Sequence, residues 1–115
     1  MDIRLKRAYD PPSADDGTRI LVDRLWPRGL TRAAGGIDLW LKDIAPTTAL
    51  RQWFGHAPAK WPEFERRYRA ELAGSPALAD LRQRARQGPV TLVDAARDQA
   101  RNQAVVLKRL LDTGP

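Results

Sequence analysis

Apolar and charged side chains alternate over residues 2–9, the pattern of a strand with one buried face or at a sheet edge. Residues 10–17 break that period. Their Pro11-Pro12 and Asp16-Gly17 pairs predict a polar loop. Residues 18–25 carry the short apolar run Ile20-Leu21-Val22, which predicts a buried second strand. Thr31 is placed to cap a short helical turn that Gly35-Gly36 stops, and residues 37–44 alternate again, which predicts a further extended segment. The middle of the chain changes to a helical period. Thr47 can cap a helix running through Leu50, Trp53 and Phe54, with Gly55 as a left-handed stop and Pro58 just beyond. Trp61, Phe64, Tyr68 and Leu72 recur at helical spacing as one apolar stripe. A third helix is predicted from Ser75 as cap and Pro76 at its first position, with Leu78, Leu81 and Ala85 inward and Gly88-Pro89 at its end. Residues 90–93 then form a strand, and residues 99–111 a final helix with Val105, Val106, Leu110 and Leu111 apolar. Strands separated by helices imply parallel pairing. The predicted fold is therefore α/β: a single compact domain over residues 1–115, with a small, mostly parallel sheet packed by helices.

Composition narrows the chemistry. With 43% hydrophobic residues in 115, there is apolar material for one modest core. The absence of cysteine removes disulfides, thiol nucleophiles and thiolate metal sites, and a single histidine makes a transition-metal centre improbable. A carboxylate-bound magnesium stays open, and no motif specifies a cofactor. No apolar leader or bilayer-length stretch is present, so a cytoplasmic protein with no membrane partner is the expectation. Twenty Lys+Arg against 14 Asp+Glu give a net charge of +6, which favours anionic partners. Most of the helix arginines are interleaved with Glu63, Glu65, Glu71 and Asp80, the pattern of a solvated helix surface more than of a nucleic-acid footprint, for which there is no Lys/Arg block, zinc-finger spacing or RNP-like aromatic strand.

The candidate chemistry sits where strands end. In open α/β sheets ligands bind beyond the carboxyl ends of strands. Asp23-Arg24-Leu25-Trp26-Pro27-Arg28-Gly29 follows the second strand, and Arg97, Asp98, Arg101 and Asn102 follow the last one. Arginine offers a bidentate fork to phosphate or carboxylate, and a tryptophan can stack on a flat ring. Convergence of the two strand ends would give an anion pocket in which Arg24, Arg28 and Arg97 hold the charge, Asp23 or Asp98 acts as general acid/base, and Trp26 stacks. Arg101 and Asn102 would add to it at the start of the last helix, whose N-terminus itself favours anions. Structural roles compete at each position. Asp23 with Arg24 can be a local ion pair, Trp26 a core residue, and Asp98 a helix cap that compensates Arg101. His56, after Gly55, is expected on a loop at the surface or behind a site. Two functions follow: a small-molecule binding protein or enzyme with a site for a nucleotide-like or phosphorylated anion, or a basic nucleic-acid-binding or regulatory module.

Five segments carry a family resemblance. They are Lys6-Arg7-Ala8-Tyr9-Asp10; Arg19-Ile20-Leu21-Val22-Asp23-Arg24-Leu25-Trp26-Pro27-Arg28-Gly29; Trp40-Leu41-Lys42-Asp43-Ile44-Ala45-Pro46; Trp53-Phe54-Gly55-His56; and Ala96-Arg97-Asp98 followed by Asn102 and Ala104-Val105-Val106-Leu107. In this order they resemble the uncharacterised DUF488 family, in its YeaO-like branch of small bacterial proteins. The resemblance implies no enzyme class. It does imply a reactive position after the last strand, which in other branches looks like a cysteine and glutamate followed by a Cys-His pair. This chain departs there: Asp94 stands where members commonly have tyrosine, and Arg101 where they commonly have histidine. A mechanism built on those two groups does not carry over.

Overall fold

In the computed structural model, which describes residues 1–113, the apolar runs at 20–22 and 90–93 lie side by side at the centre of a parallel sheet. Residues 114–115 of the domain expected from sequence lie outside the described residues. The sheet has the order β1-β4-β2-β3, with β1 at Ile3–Arg7, β2 at Thr18–Leu21, β3 at Leu39–Trp40 and β4 at Val90–Asp94. Every residue of β4 is buried, as expected for an interior parallel strand covered on both faces. Its register runs from Ile3↔Val90 to Arg7↔Asp94 on one side and from Thr18↔Val90 to Leu21↔Val93 on the other.

The helices obey their sequence signals. A short α1 (Arg32–Gly35) is capped by Thr31, and α2 (Thr48–Phe54) by Thr47, whose hydroxyl accepts the Leu50 amide. Gly55 closes α2 in the left-handed region at φ 52°. The stripe predicted on α3 (Trp61–Leu72) buries Phe64, Tyr68 and Leu72, and the Tyr68 hydroxyl donates to the Ile44 carbonyl at 2.6 Å. Ser75 caps α4 (Pro76–Gln87), which buries Leu78, Leu81 and Ala85. Two apolar clusters result. The larger joins Ile20, Val22, Val90 and Leu92 of the sheet to α2 through α5 (Gln103–Thr113). The smaller, formed by Leu21, Ile37 and Val93 with Trp26, Leu30 and Trp40, covers the other face.

Four boundaries differ from the sequence pattern. The second strand, expected over 18–25, ends at Leu21, and in the other three local hydrogen bonds override alternation. β1 stops at Arg7, where the Asp10 carboxylate accepts the Arg7 amide at 2.9 Å and turns the chain. The extended segment expected at 37–44 is a strand only at Leu39–Trp40. Leu41 donates to Leu21, and Ile44 then donates back to the Leu41 carbonyl, closing a 3-10 turn at Lys42–Ile44. The last helix begins at Gln103, not at 99, for reasons that lie in the site itself. The polar loop at 10–17 also hides a buried ion cluster. Asp16 is fully buried, pairs with Lys6 at 2.8 Å and with Arg19 at 2.7 Å, and its own carbonyl accepts the Thr91 hydroxyl. Next to it, Gly17 has φ 63° and packs on Pro89 so closely that a Cβ would meet the Pro89 carbonyl. Among the described residues no helix is long and apolar enough to cross a membrane.

Candidate functional site

The connections leaving β2 and β4 depart toward opposite faces of the sheet, and a crevice opens between them. After β2 the chain carries Trp26 and Leu30 into the smaller cluster, whereas after β4 it enters α5, which packs into the larger one. The resulting cleft has a volume of about 260 Å³. Asp23, Arg24 and Trp26 line it from the β2 end, Arg101, Asn102 and Gln103 from the β4 end, and Phe54 and Phe64 from α2 and α3.

Asp23 ties the two ends together. One carboxylate oxygen accepts the Ala95 amide at 2.9 Å and the other accepts the Gln103 side-chain amide. Its carbonyl accepts the Trp40 indole N–H at 2.7 Å, which anchors the residue from the opposite face. Burial pushes the Asp23 carboxyl up to about 6 against those two hydrogen bonds. One position along β4, Asp94 is 4% exposed; burial first, and then the Asp23 charge, push its carboxyl up to about 7. Its Oδ1 accepts the Ala96 amide at 2.9 Å.

Asp98 does not open a helix. Its Oδ1 accepts the Ala100 amide at 3.0 Å and the Arg101 amide at 3.2 Å, and its Oδ2 pairs with the Arg101 guanidinium at 3.3 Å. The Ala100 amide, ahead of the Arg101 contacts, holds its carboxyl below the usual range. Asn102 then caps α5: its Oδ1 accepts the Val105 amide at 3.1 Å, and its Nδ2 donates back to the Asp98 carbonyl. The tight 98–101 turn is why the helix starts four residues later than its pattern suggested. Helix capping at this junction belongs to Asn102.

The sequence-derived residues separate into two groups. Asp23, Arg24, Trp26, Arg101 and Asn102 meet in the cleft, while Asp98, Arg28 and Arg97 are not among its lining residues. Arg28 and Arg97 are exposed. Arg24 is there with its fork already engaged, Nε donating to the Pro46 carbonyl at 3.2 Å and Nη2 to Ala45 at 3.1 Å. Trp26 meets Trp40 edge to face at 5.4 Å. The geometry adds Arg51, Gln103 and the Phe54–Phe64 pair, whose rings stack at 4.4 Å. Arg51 was legible in retrospect, since it stands three residues before Phe54 on α2 and shares its side. Nothing in the sequence marked Gln103. His56 also lines the cleft, in the left-handed region at φ 57°, next to Phe54. Among the described residues no group of His, Asp or Glu is arranged to hold a metal ion.

No solved structure matches this chain. It is 44% identical over 110 residues to the uncharacterised protein Rv3073c of Mycobacterium tuberculosis, covering 96% of this chain and 93% of that one. It is 42% identical over 111 residues to the uncharacterised protein YeaO of Escherichia coli, covering 93% and 94%. Residues 2–114 match the family model described as the inactive DUF488-N3 subclade. The segments quoted from the sequence thus carried a true kinship, and the chain belongs to the DUF488 family, within its inactive N3 subclade.

Proposed function

We propose that this protein binds a small anionic molecule in the cleft between the β2 and β4 ends and does not convert it. The observation that carries the reading is the cleft's charge: its lining holds three arginines, Arg24, Arg51 and Arg101, and a single carboxylate, Asp23, whose oxygens both accept hydrogen bonds. Aromatic walls with a few convergent polar groups are the usual make-up of a ligand site. Binding without turnover is favoured by the lining itself, which has no hydroxyl or thiol nucleophile. Of the two alternative acid/base groups expected from sequence, Asp98 pairs with Arg101 and is not among the lining residues, and both oxygens of Asp23 accept hydrogen bonds. The subclade's description as inactive agrees with this.

The nucleic-acid reading has less support. Arg66 and Arg67 share Glu63, Arg69 and Arg109 share Glu65, and Arg84 pairs with Asp80, so each of these helix arginines is engaged by a carboxylate. A test is a thermal-shift panel of carboxylates, phosphates, nucleotides and neutral compounds at high concentration, with Arg51→Gln as control; a ligand selective for the native state raises the midpoint by mass action. Stabilisation by anions that is lost in Arg51→Gln is expected. No anion-dependent shift, with an oligonucleotide shift that disappears in salt, would overturn the reading.

A further inference from the structure

We propose that the ligand of this cleft is a flat aromatic monocarboxylate, one or two fused rings in size, and not a phosphorylated compound. The proposal rests on the anion-binding reading above and narrows it. Its starting point is the state of the loop between β4 and α5. A phosphate group at such a position is held by free backbone amides and a helix N-terminus. Here the chain has filled that role with its own side chains. The amides of Ala95, Ala96, Ala100 and Arg101 donate to the carboxylates of Asp23, Asp94 and Asp98, and the Val105 amide donates to Asn102. An incoming phosphate would have to displace carboxylates that belong to the fold.

The cationic side chains are similarly committed, with one exception. Arg24 is held by the Ala45 and Pro46 carbonyls and Arg101 by Asp98. Arg51 lines the cleft from α2, and among the described residues its guanidinium has no hydrogen-bonding or ion-pair partner. One open fork matches one carboxylate, bidentate and in plane. A dianionic phosphate would leave charge uncompensated beside Asp23.

The rest of the lining accounts for the ring. Trp26, Pro46, Ala96 and the stacked Phe54 and Phe64 all belong to the lining. Aromatic faces favour offset or edge contacts with another ring. A cavity of about 150 Å³ takes benzene, and clefts for drug-sized ligands begin at about 300 Å³. At about 260 Å³ this one suits a single or fused ring carrying a short acid. A mononucleotide carries more charge than one open fork can match.

The test is calorimetric titration of the whole protein with benzoate, indole-3-carboxylate, benzamide, AMP and inorganic phosphate, repeated on Arg51→Gln and on the exposed control Arg97→Gln. Arg51 is exposed, so the variant is expected to fold, and an unchanged unfolding midpoint verifies this. The expected result is that an aryl carboxylate binds at least tenfold tighter than benzamide, AMP or phosphate, with that preference lost in Arg51→Gln and kept in Arg97→Gln. Tighter binding of AMP or phosphate would overturn the ligand class while leaving the anion reading intact. Equal binding of benzoate and benzamide, or no binding by any anion, would overturn both.

Discussion

Asp94 shows how much a single side chain can decide. A carboxyl raised by burial favours the protonated form, so in the native state Asp94 holds its proton up to about pH 7, whereas the unfolded chain releases it near 4. Its contribution is therefore fully present below about pH 4 and is lost as pH rises through 7, an effect on the order of 4 kcal/mol. Asp23 acts in the same direction with a midpoint of about 6. Asp16 acts oppositely. The hydrogen bond from Lys6, with those from Ser13 and Arg19, holds its carboxyl well below the usual range, so its stabilisation is present above about pH 4 and is lost in acid. Greatest stability is expected in mildly acidic solution. Asp94→Asn should flatten the decline between pH 5 and 8 and stabilise the protein at pH 8, measured by urea midpoints at both values. An unchanged slope would exclude Asp94 as its source. Substitution at 94 was noticeable in the sequence, but its burial was not, because a polar residue at a strand end reads as solvent-facing until α5 is seen to cover it.

At the level of elements, sequence period placed the helices well and the loops poorly. Thr47, Gly55, Ser75 and Pro76 signalled their helix ends because capping is a local matter, set within four residues. Ile37 to Ile44 misled because alternation cannot register the tight turn that Leu41 and Ile44 close. The loop at 10–17 misled more deeply, since polar composition reads as exposure, and only the fold brings Lys6 and Arg19 around Asp16. The site divides in the same way: Asp23, Arg24, Trp26, Arg101 and Asn102 were legible as strand-end polar residues, whereas Gln103 and the aromatic floor depend on how α2, α3 and α5 pack. The Asp16 cluster ties Lys6, near the end of β1, to Arg19 and Thr91, near the starts of β2 and β4. Removing one member strands a charge in the interior. Asp16→Asn is expected to cost about 3–5 kcal/mol, by leaving Arg19 at 3% side-chain exposure without its counter-ion. A loss below about 1 kcal/mol in chemical denaturation would show that the cluster adds little.

For the molecule as a whole, topology and charge point to one place. The order β1-β4-β2-β3 sends the chain away from the centre in opposite directions after β2 and β4, so the cleft is a consequence of the winding. The net charge of +6 is spread over a surface where helix carboxylates pair with most helix arginines, which leaves the cleft's arginine excess as the concentrated feature. The chain's own aspartates have closed the amide-lined end of that cleft, and an aromatic, singly cationic end remains. The most direct measurement is amide chemical-shift mapping by NMR during titration with benzoate. The account predicts saturable shifts confined to the residues around Arg51, His56, Ala95, Ala96 and Gln103 and to the Trp26 indole. Shifts spread over the outer faces of α3 and α4, with those residues unmoved, would contradict it.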